Sequence, residues 1–234
     1  MSSMSTARSQ HLRPSVVPRL QPGDRLTRAE FERRYDATPD LKKAELIEGI
    51  VYMPPPVSHT YHGAPHADLL GWLWCYRAGT PGVQVGDNGS LRLDLDNMPQ
   101  PDAYLLIDPK CGGQAKIDDD DYVSGAPELV GEIAASSVSY DLHVKLNVYR
   151  RSGVREYVVW RTYDRAIDYM VLREGEYQKL APDAGGIIRS EVFPGLWLAP
   201  AAMLAGDMQK VLQVAQEGLS SPEHRDFVAR LARG

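Results

Sequence analysis

The feature that most constrains the fold is a strand pattern at residues 128–135 that is almost continuously apolar. A run of this kind is typical of a strand covered on both faces in the middle of a sheet. Ser139 begins a helical pattern that reaches about Ser152, and Gly153 follows its end. Another strand pattern occupies residues 154–160. Because strand, helix and strand follow one another closely, the sequence predicts a parallel crossover within an α/β sheet.

The other segments extend this sheet and cover it. Thr27 and Glu30 form a capping-box pattern that opens a short helix, and a longer helix is predicted over residues 66–76. Alternating apolar and polar residues predict strands at 90–96 and 102–107. The predicted fold class is α/β, a mixed β-sheet flanked by helices, with an extra β-hairpin and a helical C-terminal tail. Its remaining parts are a strand pair within 44–53, a hairpin joining 166–172 to 177–180, and helices from about residue 207.

Composition divides the chain into three parts. The first acid is Asp24, and the arginines before it lie among Ser, Pro and Gln, which predicts a flexible N-terminal arm over residues 1–26. Residues 27–205 carry the α/β pattern and form the predicted domain, and residues 206–234 form a helical extension. With 43% hydrophobic and 24% charged residues, the chain has an ordinary globular composition.

Charge and cysteine content exclude several classes of protein. The net charge of −5 disfavours a protein that coats nucleic acid through bulk electrostatics, but it permits a local basic surface. Cys75 and Cys111 form neither a CxxC pair nor a disulfide framework, so they predict free thiols in the reducing cytoplasm. No apolar run reaches about 18 residues, so no membrane span is expected.

Two acids occupy strands that the pattern predicts to be buried. Glu132 lies inside the apolar strand, and Asp102 follows Pro101 at the start of the next strand pattern. Burying an ionised carboxylate is costly unless a cation or several hydrogen-bond donors compensate it. Mg²⁺ binds hard oxygen ligands, commonly one or two carboxylates completed by water and substrate phosphate. Two acids at neighbouring strand ends, with a backbone carbonyl nearby, therefore suit a magnesium site.

Lys145 is the cation that the predicted helix can bring to these acids. If the helix begins near Ser139, then Asp141, Lys145 and Tyr149 share one stripe at i, i+4 spacing. This helix packs back on the sheet, so its first turns lie over the strand end that holds Glu132. The spacing alone is equally consistent with a solvated lysine paired with Asp141, and both interpretations stay open at this point.

Several motifs occur in a specific order along the chain. They are Pro101-Asp102, Glu132 with small residues after it, Asp141 with Lys145, and the strand GVREYVVW. In this order they resemble the Uma-type restriction endonucleases, a bacterial family of the PD-(D/E)XK nuclease superfamily that was long filed as a domain of unknown function. AELIEGIVYMPPPVSHTYH and EVFPGLWLAPAAML resemble the opening and closing segments of that family. The resemblance covers most of the chain and implies a restriction-endonuclease-like fold.

The resemblance also implies roles for particular residues. The superfamily has a lysine two residues after its second acid, where this chain has Ala134, so the implied lysine is Lys145 from the following helix. Asp102, Glu132 and the carbonyl of Ile133 would bind Mg²⁺ or Mn²⁺, and Lys145 would act on the attacking water or on the phosphorane. Supporting candidates, for which an ordinary structural role is as good an explanation, are Glu45, His62 and Asp141.

Three histidines near the proline-rich turn raise zinc as an alternative. His59, His62 and His66 lie close in sequence, and the last two are four residues apart. Gly63 and Pro65 interrupt the helix that would place those two on one face, and no glutamate completes a metalloprotease motif. Zinc is therefore disfavoured.

DNA is the expected partner. Arg150, Arg151 and Arg155 lie in a segment with more basic than acidic residues, and phosphate contacts supply most non-specific affinity for DNA. Cations at the end of a solvated helix, which the helix dipole favours, explain these arginines equally well. Trp72 and Trp74 make both faces of the helix at 66–76 apolar, so a homodimer is also expected.

The leading function is therefore a Mg²⁺-dependent endonuclease that hydrolyses DNA phosphodiester bonds. The alternative is a catalytically inactive nuclease-fold module that binds or scaffolds, which the displaced lysine and the acidic net charge both favour. A hydrolase of small phosphate esters is a third class that the same metal site would serve.

Overall fold

The structure is a computed structural model that describes residues 17–234. Most of the predicted arm, residues 1–26, lies outside the described residues. Its described end packs on the chain: the Leu20 side chain is buried, and the Gly23 N–H donates to the Val51 carbonyl at 2.8 Å. The three-part division of the chain stays a prediction.

The described residues form six α-helices, thirteen strands, two π-helical segments and a short 3₁₀ turn. The helices are α1 (Arg28–Asp36), α2 (Ala64–Ala78), α3 (Leu146–Ser152), α4 (Pro200–Ala205), α5 (Met208–Leu219) and α6 (Pro222–Leu231). The π-helical segments are His59–Gly63 and Tyr140–Lys145, and the 3₁₀ turn is Pro109–Cys111. The strands are β1 (Glu45–Ile47), β2 (Ile50–Tyr52), β3 (Val83–Asp87), β4 (Leu91–Arg92), β5 (Ala103–Ile107), β6 (Lys116–Ile117), β7 (Val123–Ser124), β8 (Leu129–Ala134), β9 (Glu156–Arg161), β10 (Ala166–Arg173), β11 (Glu176–Lys179), β12 (Ile188–Arg189) and β13 (Trp197–Leu198).

A six-stranded mixed sheet forms the centre of the molecule, in the order β11-β10-β9-β8-β5-β3. β8 and β9 are parallel, and the other neighbours in this sheet pair antiparallel. The chain crosses from β8 to β9 through the π-helical segment Tyr140–Lys145 and α3, as the sequence predicted. The α/β fold class, the hairpin β10–β11 and the C-terminal helices are likewise confirmed.

Helices cover both faces of this sheet. On one face, α2 packs with the C-terminal helices, and its Trp72 indole N–H donates to the Trp197 carbonyl at 2.9 Å. This face buries the larger apolar cluster, to which Phe193 and Phe227 belong. On the other face, Tyr149 of α3 packs against the strands. No helix of residues 17–234 is both long enough and apolar enough to cross a membrane.

Two local expectations differ from the structure. The strand predicted at 90–96 is limited to β4, because the Asp94 carboxylate accepts from the Asp96 N–H at 2.8 Å and turns the chain. Leu95 is consequently 74% exposed instead of half-buried. β3 was not predicted from the sequence; in this strand Gly86 leaves room for the ring of Tyr104 from the neighbouring strand.

A buried carboxylate joins the C-terminal segment to the central sheet. Glu156, the first residue of β9, accepts hydrogen bonds from the Tyr169 hydroxyl at 2.8 Å and the Ser190 hydroxyl at 2.6 Å. The backbone N–H groups of Glu191 and Val192 donate to its other oxygen at 2.8 and 3.1 Å. Four donors compensate the desolvation of this carboxylate and fix the chain that leads to β13 and α4.

Replacing Glu156 by alanine should therefore lower the free energy of unfolding by about 3 kcal/mol, because four buried donors lose their acceptor. Urea unfolding followed by circular dichroism measures the change. The matched control is Glu176→Ala, which removes an exposed acid from β11 and should leave the unfolding midpoint nearly unchanged. Equal midpoints for the two variants would contradict this account.

Candidate active site

Asp102 and Glu132 come together because their strands are neighbours. β5 runs antiparallel to β8 with Ala103 opposite Gly131, so Asp102, directly before β5, lies at the level of Glu132. The Ile133 N–H donates to the Asp102 carboxylate at 2.8 Å, which ties this acid to β8. Each of the two acids is only 3% exposed.

Lys145 reaches these acids from the π-helical segment that follows β8. Its ammonium lies 2.9 Å from Oε1 of Glu132 and 2.9 Å from Oε1 of Glu45, and 3.9 Å from the Asp141 carboxylate. The wide turn of the π-helix is a geometry often found at functional sites. Lys145 is therefore buried and charge-paired, not solvated. We call Glu45, Asp102, Glu132 and Asp141 around Lys145 the acid cluster.

Two supporting candidates lie in contact with this lysine. Glu45, on β1, accepts from the Gln100 N–H at 2.8 Å through the oxygen that also faces Lys145. Asp141 accepts from the Ser137 hydroxyl at 2.5 Å. The β1–β2 hairpin and the segment after β8 are thereby joined through one ammonium.

Tyr149 is a member of the site to which the sequence analysis gave no role. Its hydroxyl donates to Oε1 of Glu132 at 2.8 Å, and Lys145 binds the same oxygen. Neither contact uses Oε2, so that oxygen stays free of these two donors. The stripe of Asp141, Lys145 and Tyr149 contained the signal, but only the position of Glu132 shows which side chain the tyrosine serves.

Basic side chains also surround Asp102. The third supporting candidate, His62, places Nε2 at 3.3 Å from the Asp102 carboxylate, and the Lys43 ammonium lies 3.4 Å from its other oxygen. His66 binds the backbone instead, with Nε2 at 2.7 Å from the Asp102 carbonyl. Lys43 and His66 were missed as neighbours of Asp102, because the contacts depend on how the N-terminal hairpin and α2 pack.

The two central acids have opposite electrostatic surroundings. Burial favours the neutral form of Asp102, but the hydrogen bond from His62, the charge of Lys43 and the Ile133 N–H hold its pKa well below the ordinary value. Burial raises the pKa of Glu132 to about 8 despite the attraction of Lys145. Burial also disfavours the charged form of Lys145, but the carboxylates around it raise its pKa well above the ordinary value. The surroundings therefore favour the ionised form of Asp102, whereas burial shifts Glu132 towards its neutral form.

The donor set fits a divalent cation. Four carboxylates in the cluster face the two ammonium groups of Lys43 and Lys145, so full ionisation leaves an excess of two negative charges. Oxygen ligands with excess negative charge suit Mg²⁺ or Mn²⁺. Within residues 17–234, no group of three or more His, Cys, Asp or Glu side chains has the arrangement to hold an ion alone. A site made of two carboxylates, a backbone carbonyl and water does not require three such side chains.

Aromatic side chains cover one side of the cluster. The rings of Tyr52 and Tyr140 lie 4.4 Å apart, and the Lys145 ammonium lies 5.6 Å from the centre of the Tyr140 ring. The hydroxyl of Tyr140 is buried without a hydrogen-bond partner. Lys145 is itself only 4% exposed, so a phosphodiester reaches it only if this covering moves.

The structure does not bring the three candidate DNA-binding arginines to the acid cluster. Arg155 directly precedes β9, about 13 Å along the strand from the level of Glu132 at roughly 3.3 Å per residue. Arg150 binds the Gly175 carbonyl at 2.8 Å, and Arg151 binds Glu48 at 2.8 Å. The three arginines lie towards the opposite end of the sheet.

Comparisons with known proteins agree with this architecture. The Uma2 family model, whose description is "Putative restriction endonuclease", matches residues 28–201. A crystal structure from Anabaena variabilis, described as a putative nuclease belonging to DUF820, is similar with a TM-score of 0.54 and 13% sequence identity. The similarity covers 88% of this chain and 99% of that one, so it supports the fold. No curated protein matches the sequence.

The raised pKa of Glu132 makes stability depend on pH. Because the folded carboxyl binds its proton more tightly than the unfolded one, folded protein carries more protons between about pH 4.5 and 8, and its free energy of unfolding should fall as pH rises through this window. The slope is at most about 1.4 kcal/mol per pH unit for one proton. Urea titrations in EDTA at several pH values measure it.

Glu132→Gln is the matched variant, since its amide oxygen can still accept from Lys145 and Tyr149. It should flatten the pH dependence between about 4.5 and 8. A slope that is the same in both proteins would show that the retained proton resides elsewhere.

Proposed function

The chain belongs to the Uma2 family, whose description is "Putative restriction endonuclease", and on this premise we propose that it is a metal-dependent endonuclease that hydrolyses DNA phosphodiester bonds. One observation carries the proposal: Asp102, directly before β5, lies at the level of Glu132 in the neighbouring β8, and Lys145 binds Glu132 from the following segment. This arrangement supplies two acids and an ammonium even though Ala134 occupies the place of the superfamily lysine.

Asp102, Glu132 and the carbonyl of Ile133 are the residues proposed to hold Mg²⁺, with Mn²⁺ as a substitute. Such an ion lowers the pKa of bound water and polarises a phosphoryl oxygen. His62 and the Ile133 N–H keep Asp102 ionised and oriented. Tyr149 fixes the rotamer of Glu132 by binding Oε1, so that Oε2 stays available.

Lys145 is the proposed catalytic cation. Its ammonium would orient the attacking water or stabilise the charge that builds on the phosphorane. Glu45 and Asp141 act as positioning residues, because both carboxylates hold this ammonium beside Glu132. When a phosphate enters, one of its oxygens would replace a carboxylate oxygen beside the ammonium. The ammonium would then still be paired with a negative charge.

The cytoplasm is the proposed location, because the free thiols of Cys75 and Cys111 would stay reduced there.

DNA is the proposed substrate. The proposed contacts to outlying phosphates are Arg150, Arg151 and Arg155. Of these three arginines, Arg155 alone makes no side-chain hydrogen bond to another described residue. Arg150 and Arg151 are bound to neighbouring loops.

A second candidate function is supported by the burial of the cluster. Lys145 and the acids bond to one another and are almost fully shielded from solvent. Such an arrangement also suits a nuclease fold that binds or scaffolds without cleaving. The two functions differ in their need for a divalent ion.

Pure protein should nick supercoiled plasmid with Mg²⁺ or Mn²⁺ and not with EDTA. Glu132→Gln and Lys145→Ala should each lower the rate by about a hundredfold or more, because the metal site or the cation is lost. Lys110→Ala, which removes an exposed lysine beyond the far end of β5, is the matched control and should cut like the wild type.

Cleavage that survives Glu132→Gln would reject the assigned roles. Calorimetry with Mg²⁺ or Mn²⁺ distinguishes the two functions, because a scaffold that does not cleave has no need to bind the ion. Absence of both binding and cleavage with every metal and nucleic acid tried would favour the scaffold.

We propose that the protein is a homodimer in which Trp74 lies in the interface. Its side chain is 50% exposed, whereas Trp72 of the same helix is buried, and Arg77 stacks on it at 4.8 Å. Light scattering at micromolar concentration should give twice the monomer mass, and Trp74→Glu should give a monomer. A wild-type monomer would contradict the proposal.

A further inference from the structure

A cleft opens on the sheet face that α2 covers, opposite the face on which Glu132 contacts Tyr149. Its volume is about 460 Å³, which lies in the range of roughly 300 to 1,000 Å³ typical of small-ligand sites. The residues that matter here are Tyr61, Trp160, Thr162, Tyr163 and Arg165, and we call this the aromatic cleft. None of the described residues that line it is acidic.

One helical segment links the aromatic cleft to the proposed metal site at the end of the sheet. Within the π-helical segment His59–Gly63, His62 contacts the Asp102 carboxylate while the adjacent Tyr61 contacts Tyr163. On the sheet side, the Thr162 N–H donates to the Ala134 carbonyl at 3.0 Å. Since Ala134 is two residues beyond Glu132, the cleft begins about 7 Å from the level of that acid at roughly 3.3 Å per residue.

Two aromatic rings at the cleft face solvent. Tyr61 is 45% exposed and Tyr163 is 58% exposed, and their ring centres lie 4.6 Å apart at an angle of 55°. Exposed rings of this kind offer flat surfaces on which any base can stack, because every base has a π-face. The pair therefore favours a planar ligand such as a nucleobase and does not require a particular base sequence.

Polar groups at the cleft complement a nucleotide. Arg165 is an exposed cation in the turn between β9 and β10, and none of the ion pairs of the described residues includes it. The Thr162 hydroxyl is buried without a hydrogen-bond partner, so it can bond a polar group of a ligand once its side chain turns towards the cleft. Arg161 on the same turn is already held by Asp164 and Asp168.

A second cleft, with a volume of about 400 Å³, lacks this character. It lies beside Arg151 and is lined by Glu48, Asp94 and Asp96, so it would repel phosphate.

In duplex DNA the faces of the bases are stacked on one another, so the tyrosine rings can reach only a base that has left its pair.

We propose that the aromatic cleft binds an unpaired nucleobase next to the phosphodiester that is cut, so that the preferred substrate contains single-stranded or frayed DNA. This inference rests on the proposed nuclease function, because that function supplies the phosphate at Asp102 and Glu132. Tyr61 and Tyr163 stack on the base, Arg165 binds a neighbouring phosphate, and Thr162 bonds the base edge.

The test uses the full chain with Ca²⁺ and a short single-stranded oligonucleotide that contains the fluorescent base 2-aminopurine. Stacking on the tyrosine rings should quench this fluorescence, and a fully paired duplex of the same sequence should show no such quenching. Tyr163→Ala should weaken binding by about tenfold to a hundredfold, since stacking accounts for that range per base, and should abolish the quenching.

Two control variants sharpen the result. Tyr163→Phe keeps the ring and should bind and quench like the wild type. Leu95→Ala removes an exposed apolar side chain that does not line the aromatic cleft, and it should also behave like the wild type. Tyr61→Ala is a second variant at an exposed position and should repeat the effect of Tyr163→Ala.

Plasmid nicking, measured in parallel, separates this inference from the proposed function. Equal binding and equal quenching by Tyr163→Ala and the wild type would overturn the nucleobase site, whether or not plasmid is cut. Wild-type protein that prefers neither strand form and shows no quenching would also overturn it, and would leave a protein segment as the occupant. Quenching that Tyr163→Ala abolishes supports the site even where no cleavage occurs, and in that case only the proposed hydrolysis fails.

Discussion

The ion pair between Lys145 and two carboxylates is the interaction on which the arrangement of the site depends. One ammonium lies 2.9 Å from both Glu132 and Glu45, and these acids belong to the central strand and to the N-terminal hairpin. A third part of the chain, the segment after β8, supplies the lysine. Because an unpaired buried charge is far more costly than a paired one, each of these parts can hold its position only while the others hold theirs.

The cluster is also divided electrostatically. Asp102 receives a histidine, a lysine and a backbone N–H and stays ionised, while Glu132 lies in surroundings that favour its neutral form. Pairs of acids whose surroundings push their pKa values apart are common where one group must hold charge and the other must exchange a proton. In this molecule the difference arises from the neighbours of each acid, because His62, Lys43 and the Ile133 N–H lower the pKa of Asp102 while burial dominates at Glu132.

The parts predicted well from the sequence are those that a single rule decides. The apolar pattern of β8 and the order strand–helix–strand indicated a covered parallel pair. The cost of burying Glu132 required a cation or several donors, and the spacing left open whether Lys145 supplies it. The parts that were missed depend on several elements at once. His66 and Lys43 reach Asp102 through the packing of α2 and of the N-terminal hairpin, which sequence spacing does not encode. Tyr149 shares a stripe with Lys145, but only the packing of α3 on β8 shows that it binds Glu132. The false strand near Leu95 arose because side-chain bonds of Asp94 compete with the sheet.

Both helical segments that contact the acids are wound wider than an α-helix, one around His62 and the other ending at Lys145. A π-turn accommodates one more residue than an α-turn, and that residue corresponds to about 100° of rotation. The wider turn of each segment changes the rotation between the helix and the residues before it. α2 and α3 can therefore keep the orientation that their buried faces require while the preceding side chains point towards the acids. A chain built this way can gain or lose a residue before either helix and change its chemistry without repacking its interior.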